Sequence, residues 1–253
     1  MRPRIIPCLL LQEESLVKTV KFGNPVYVGD PINAVKIFNE KEVDELIILD
    51  ITESRSHQKP VFNLISEIAE ECFMPLCYGG GIGSLEDMER LFRIGIEKIS
   101  INSGAVRKPD FITEAVRLFG GQSIVVSIDV KKDPLGKYEV FINGGRTGTG
   151  LHPIDFAKRM EEKGAGEILL NSIDRDGTMQ GYDIELIKNV SEAVHIPVIA
   201  CGGAGRLSDF QSVIREGGAS AAAAGSFFVF FGKHKAVLMT YPEPQDLEEA
   251  LCW

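Results

Sequence analysis

Around Pro75 the chain reads MPLCYGGGIGSLEDMERLFRIG, and around Pro197 it reads IPVIACGGAGRLSDFQSVIREG. Pairing Pro75 with Pro197, an offset of 197 − 75 = 122, also pairs Gly80 with Gly202, Gly81 with Gly203, Gly83 with Gly205, Leu85 with Leu207, Asp87 with Asp209, Arg93 with Arg215 and Gly95 with Gly217. Each half runs a hydrophobic strand into Gly-Gly and then opens a helix. Two such halves in 253 residues point to a half-barrel doubled into a whole (βα)8 barrel, a fold whose usual size is about 250 residues.

Eight short runs rich in Val, Ile, Leu or Ala recur, with segments of helical period between them, as alternating βα units require. The strands read as RIIPCLL from Arg4, LIILDIT from Leu46, PLCYG from Pro75, KISIN from Lys98, IVVSID from Ile124, EILLNSI from Glu167, PVIAC from Pro197 and SAAAAGS from Ser220. Eight strands close a barrel, and no linker or low-complexity tract divides the chain. Residues 1–253 are therefore expected to form one α/β domain, a single (βα)8 TIM barrel made of two similar half-barrels. Ser84 with Asp87 three residues on predicts a capping box, and Met88, Leu91 and Phe92 then give the helix an apolar face. Two connections exceed the short-loop norm, residues 12–31 and 131–153, and YEVFI in the second predicts a hairpin. Both follow strands and so belong to the C-terminal face, where barrels bind ligands; for either loop alone, a tolerated insertion is an equal reading.

The balance of charge is −9 with no Lys/Arg run, which argues against nucleic acid or an anionic membrane as a partner. Cys8, Cys72, Cys77, Cys201 and Cys252 are odd in number, lack metal-type CxxC spacing and mostly lie in or beside apolar runs. They read as reduced packing cysteines of a cytoplasmic protein. No signal peptide is evident, and the longest apolar tracts are strand-sized, so a soluble protein is expected. His57, His152, His195 and His234 are scattered, with no Cys or Ser at triad or zinc spacing, and are given no catalytic role. No cofactor and no metal are expected.

A polar residue closing a barrel strand points into the mouth, so the candidates are the strand ends: Asp50, Gly80-Gly81, Asn102 and Ser103, Asp129, Asn171 through Thr178, Gly202-Gly203 and Ser226. Gly80, Gly81, Asn102 and Ser103 form one prospective phosphate cradle, and Gly202, Gly203 and Ser226 a second. Glycine lets main-chain N–H groups approach phosphate oxygens, and helix N-termini add favourable dipoles. A lone Gly-Gly is more often a tight turn, but two copies related by the repeat favour a phosphorylated small-molecule ligand, anionic at both ends. Asp129 closes the fifth strand and is the first choice for a general acid or base, set against a carboxylate that caps its own loop. Asp174, Asp176 and Gly177 form a turn, with Asp176 and Gly177 as further phosphate candidates; a purely structural turn is nearly as good a reading.

Taken together, RIIPCL, DELIILDIT, GGGI, KISINS, VVSIDVKK, GAGEILLNSIDRDGT, GYD and ACGGAG resemble the cyclase subunit (HisF-like) of imidazole glycerol phosphate synthase, from Arg4 to about Phe228. The resemblance implies a lyase-class (βα)8 barrel that takes ammonia from a glutaminase subunit (HisH-like) docked on its N-terminal face. It implies that ammonia crosses the barrel to a bisphosphate, giving imidazole glycerol phosphate and an aminoimidazole carboxamide ribotide in histidine biosynthesis. The family uses two aspartates as acid and base. Asp129 matches the one closing strand five and Lys18 is kept, but the one closing strand one falls on Leu10. Leu10 is also the approximate repeat mate of Asp129, so the gap is visible inside the chain itself. Losing one partner of an acid–base pair forfeits on the order of 10²–10⁴ in rate. Glu13 or Glu14 could substitute only if their loop folds inward. The family's salt-bridged ammonia gate is matched by Arg4, Glu45, Lys98 and Glu167 at strand starts; from charges alone these read as an ion-pair layer sealing the barrel floor.

An intact entrance with half of the acid–base pair missing resembles a paralogous branch linked to acetamidino modification of surface-polysaccharide sugars, and the tail FVFFGKHKAVLMTYP is similar to that branch. The leading expectation is an ammonia-handling subunit that serves a separate sugar amidotransferase. The alternatives are an authentic histidine-pathway cyclase with a substitute group and a non-catalytic scaffold that regulates a glutaminase.

Overall fold

The computed structural model describes residues 2–52, 59–232 and 234–251, so His57 and Cys252 lie outside the described residues. Eight strands form the barrel: β1 (Arg4–Gln12), β2 (Leu46–Asp50), β3 (Leu76–Gly79), β4 (Lys98–Ile101), β5 (Ile124–Lys132), β6 (Glu167–Ser172), β7 (Val198–Cys201) and β8 (Ala221–Ala224). Each pairs in parallel with its successor, and β8 pairs with β1, which closes the ring. The helices α1 (Pro31–Glu40), α2 (Phe62–Glu71), α3 (Leu85–Ile94), α4 (Asp110–Phe119), α5 (Pro153–Glu162), α6 (Ile184–Ser191), α7 (Leu207–Arg215) and α8 (Pro244–Leu251) alternate with the strands. The fold is the (βα)8 TIM barrel that the repeat and the strand count predict. Among the described residues no helix is long and apolar enough to cross a membrane.

The ladders fix which residues share a level. Cys8 leads through Ile47 to Cys77, Gly79 through Ser100 to Val125, Ser127 through Leu169 to Ile199, and Cys201 through Ala223 to Ile6. Each passage across two strands ends two residues below the next starting point. Four passages of two residues make eight, the shear of a closed eight-stranded barrel. Cys8, Gly79, Ser127 and Cys201 thus form one interior layer, contributed by alternate strands. Leu10 and Asp129 stand two residues higher on β1 and β5, four strands apart in a ring of eight and therefore opposite each other. Leu10 pairs with Leu49 and Asp129 with Asn171, and 171 − 49 = 122, so the ladder makes Leu10 the repeat mate of Asp129.

Two cores result. Ile6, Ile47, Cys77, Val125, Leu169, Ile199, Ala221 and Ala223 fill the inside, and a larger cluster joins the outer strand faces to the helices. Under α7 and the tail the outer core is aromatic: Phe210 contacts Tyr182, Phe227 and Phe228, and Phe228 stacks on Tyr241 with centroids 5.3 Å apart. Both tyrosines satisfy their hydroxyls on the barrel, Tyr182 donating to the Ala223 carbonyl at 3.0 Å and Tyr241 to that of Ile5 at 2.8 Å.

Local signals are mostly realised, with one shift. The Ser84 hydroxyl accepts from the Asp87 N–H at 3.1 Å, but the Asp87 carboxylate reaches Gly83 N–H at 3.4 Å, one residue before the expected partner. Its repeat mate Asp209 does the same to Gly205 at 2.8 Å and also accepts from Arg206 N–H at 3.1 Å, so the carboxylate, kept in both halves, belongs to the glycine turn as much as to the helix. The predicted hairpin is present, with Tyr138–Ile142 antiparallel to β5. Residues 12–31, where the sequence predicts only a long connection, hold a ribbon: Ser15–Lys18 folds back antiparallel on β1 and pairs with Val26–Gly29. Phe210→Ala should cost about 3–5 kcal/mol, since the ring it removes is fully buried at the centre of this aromatic cluster, and chemical denaturation of the purified chain measures it.

Candidate active site at the barrel mouth

A cavity of about 940 Å³ opens at the C-terminal ends of the strands. Asp129 stands in it at 9% exposure and accepts a hydrogen bond from the Asn102 amide at 3.2 Å; Asn102 also donates to the Ser127 carbonyl at 3.0 Å. Asn171, the ladder partner of Asp129, sets its side chain beside the same carboxyl from β6. Burial lifts this carboxyl from the usual 3.8 to about 7, nearby Asp176 adds to the rise, and the polar Asn171 side chain opposes it. Lys18, at the end of the ribbon that folds back on β1, lays its ammonium 2.7 Å from Asp176, which also accepts from the Thr19 hydroxyl at 3.1 Å. All three are buried.

The facing wall is apolar. Leu10 and Leu49 are half-buried and line the cavity opposite Asp129. Glu13 and Glu14 are exposed and absent from the lining, and Glu13 takes a left-handed backbone (φ 58°) as the ribbon turns away from β1. Asp50 closes β2 with its carboxylate already used, accepting from Thr52 N–H at 2.8 Å and the Tyr78 hydroxyl at 3.2 Å; burial raises its pKa against these bonds. The charged neighbour that acts on Asp129 is Asp176 beside it, and among the described residues no lining acid opposes it from β1.

The two glycine turns lie on either side of this mouth. Gly80 and Gly81 have φ of 116° and 68°, and their mates Gly202 and Gly203 have 91° and 117°, conformations that a side chain would strain. A Cβ on Gly80 would fall on the Asp50 carbonyl, and one on Gly202 would lie 2.7 Å from that of Ser172; 172 − 50 = 122, so even the obstruction repeats. Gly177 is likewise left-handed (φ 71°). Around these turns the polar side chains differ. Ser226 is buried with its hydroxyl unpartnered and lines the cavity. Ser103 accepts from Asn143 N–H at 3.1 Å, and the Asn102 amide is committed to Asp129, which leaves their main chain for an anion. Arg107, Lys108 and Arg146 also line this end; they are cations that no sequence pattern singles out.

At the opposite end Arg4 contacts Glu45 at 2.5 Å and Glu167 at 2.7 Å, while Lys98 contacts the same two carboxylates at 3.0 Å each. The four candidate gate residues thus make one closed ring of alternating charge. Glu45 and Glu167 are repeat mates, 167 − 45 = 122. Just inside the ring Cys77 is buried, and burial with Glu45 close by drives its thiol pKa far up. Ser100 lies farther in, its hydroxyl buried and unpartnered. His152, His195 and His234 are exposed and scattered away from the cavity.

Asn171 is the residue whose part the sequence understates. It stands there as one of a run of strand-end candidates, and only the pairing of β5 with β6 sets it beside Asp129. Because the folded carboxyl titrates near 7 and the unfolded one near 3.8, the unfolded chain ionises first, so stability falls as pH rises from about 4 to 7. Asp129→Asn should therefore stabilise the protein at pH 8 by a few kcal/mol, since each pH unit separating the two titrations is worth roughly 1.4 kcal/mol, with the gain vanishing toward pH 4. Thermal melts of both proteins across that range test this.

Comparison with known proteins places the chain. Residues 4–235 match the family described as "Histidine biosynthesis protein". A protein of Pseudomonas aeruginosa provisionally named imidazole glycerol phosphate synthase subunit hisF2 is 53% identical over 98% of this chain and 99% of its own length. A Leptospira borgpetersenii protein, provisionally named imidazole glycerol phosphate synthase subunit HisF, is 52% identical over 98% of each chain. The imidazole glycerol phosphate synthase subunit HisF of Alkaliphilus metalliredigens is 47% identical over 89% of each.

Proposed function

Since this chain belongs to the histidine biosynthesis protein family, among the HisF-like cyclase subunits of imidazole glycerol phosphate synthase, we propose that it is an ammonia-handling barrel whose own cyclisation chemistry has been given up. A glutaminase docks on the N-terminal face. The ring of Arg4, Glu45, Lys98 and Glu167 is the gate through which its ammonia enters, and the unpartnered Ser100 hydroxyl offers that ammonia a hydrogen bond on the way. The nitrogen leaves at the mouth for a separate amidotransferase that forms an amidine, an acetamidino group, on a nucleotide-linked sugar of surface polysaccharide. The observation that carries this reading is Leu10 opposite Asp129, where a proton-transfer pair needs a second ionisable group and the cavity supplies an aliphatic wall.

A second reading has its own support. Asp129, Lys18 and both glycine cradles persist, with Gly80, Gly81, Asn102 and Ser103 set to hold one phosphate and Asp176, Gly177, Gly202, Gly203 and Ser226 the other. That is the equipment of an authentic histidine-pathway cyclase, or of a barrel that keeps a phosphorylated ligand for regulation. In a scaffold that merely regulates its glutaminase, Asp129→Asn would leave every activity of the assembled complex unchanged.

With ammonium salt and the phosphoribulosyl formimino substrate, the purified chain should turn over at least about 10²-fold more slowly than a cyclase holding both carboxylates, yet stimulate its glutaminase. Ordinary cyclase turnover defeats the proposal. Leu10→Asp separates the readings: a large gain in cyclisation marks a repurposed barrel, and a loss marks an altered but working site.

A further inference from the structure

Around Asp129 and Asp176 the described residues leave one positive charge lacking; Arg107, Lys108 and Arg146 line the cavity too, but the charged group that acts on Asp129 is Asp176. Asp129 and Asp176 are 9% and 7% exposed, and the cation among them is Lys18, 6% exposed and fixed on Asp176 at 2.7 Å. Its stem lies against Gly225, where an added Cβ would stand 3.0 Å from the lysine Cε, and its ammonium is engaged by Asp176. With Asp129 ionised, the group holds two negative charges and one positive in a site largely removed from water, an arrangement that is costly to leave uncompensated. Among the described residues, Asp129 has neutral neighbours in Asn102, which donates to it from just after β4, in Asn171 across the ladder on β6, and in Leu10 on the facing β1.

A second need lies beside it. Asn171 is 6% exposed, pairs with Asp129 across the β5–β6 ladder, and leaves Oδ1 buried without a partner. That oxygen would be 2.8 Å from a Cβ on Gly202, so the glycine keeps the space around it open. A buried carbonyl oxygen lacking a donor has given up its hydrogen bond to water without replacement, so a donor that reaches it is favoured. One kind of ligand meets both needs: a small cation with two or more N–H donors. Opposite, Leu10 and Leu49 offer such a cation no competing acceptor.

We propose that Asp129 and Asn171 form a binding site for a nitrogen cation, a free ammonium ion or the protonated amine or amidine end of a larger ligand. One N–H is donated to the Asp129 carboxylate and another to Asn171 Oδ1. For ammonia that arrives through the barrel the step balances without a further reactant: the carboxylic proton of Asp129 passes to NH₃, leaving carboxylate and bound NH₄⁺. Delivery by that route rests on the function proposed above; the cation site itself does not.

The test uses the full chain without its partners. The Asp129 carboxyl carbon is followed by ¹³C NMR against pH in ammonium chloride, acetamidinium chloride or, at equal ionic strength, tetramethylammonium chloride, which has no N–H donor. Bound cation favours the carboxylate, so ammonium or acetamidinium should lower the midpoint by about half a pH unit or more while tetramethylammonium does not. A response to ammonium alone assigns the site to ammonia, and a response to acetamidinium assigns it to a ligand-borne group. In Asn171→Val the shift should disappear, and Asn171→Ser, a smaller disturbance of the fold, should show the same loss. Equal shifts with all three salts, a shift undiminished in the Asn171 variants, or no shift at all overturns the proposal. A shift that persists where glutaminase stimulation fails would leave the site standing and remove only the delivery route.

Discussion

The whole arrangement depends on how the parallel ladder closes. Eight strands with a total stagger of eight residues leave each strand with every second side chain inside, and a slip of one residue would exchange inner and outer sets together. The register that buries Ile6, Cys8 and Leu10 toward the axis also sends Ile5, Leu9 and Leu11 outward to the helices. Position along the axis follows from the same stagger, so the charged ring at strand starts, the small-residue layer of Cys8, Gly79, Ser127 and Cys201, and the opposed Leu10 and Asp129 are levels of a single construction.

The two ends of that construction treat charge differently. At the floor, two cations and two carboxylates each touch both opposite partners, so desolvation is offset within the ring. At the mouth Asp129 and Asp176 are buried with Lys18 paired to Asp176 alone, and burial, with Asp176 adding to it, raises the Asp129 pKa to about 7. Structural ion pairs are satisfied where they stand; a group left dependent on a proton responds to whatever enters the cavity.

Much of this is legible in the chain. The 122-residue offset implies the doubled barrel, the strand starts carry Arg4, Glu45, Lys98 and Glu167, and the same offset makes Leu10 the approximate mate of Asp129 without any ladder. What the chain does not disclose depends on contacts between distant residues. The ribbon of Ser15–Lys18 and Val26–Gly29 is two four-residue strands held by pairing to β1, too short for a periodic signal. Asn102 resembles part of an anion cradle because it follows β4 beside Ser103, while its amide turns to a carboxylate 27 positions away. The Asp87 and Asp209 carboxylates sit where helix caps are expected, and they chiefly brace the glycine turns.

The seam between β8 and β1 has a kinetic meaning. It joins Arg4 to Ala221 and is reinforced where Tyr241 reaches the Ile5 carbonyl, so its contacts span nearly the full chain. Loop-closure entropy makes such pairings slow to form, and until they do β1 and β8 are bare parallel edges able to recruit strands from other molecules. Tyr241 lies downstream of every barrel strand, so in synthesis its hydrogen bond to the Ile5 carbonyl forms only after all eight strands have been made.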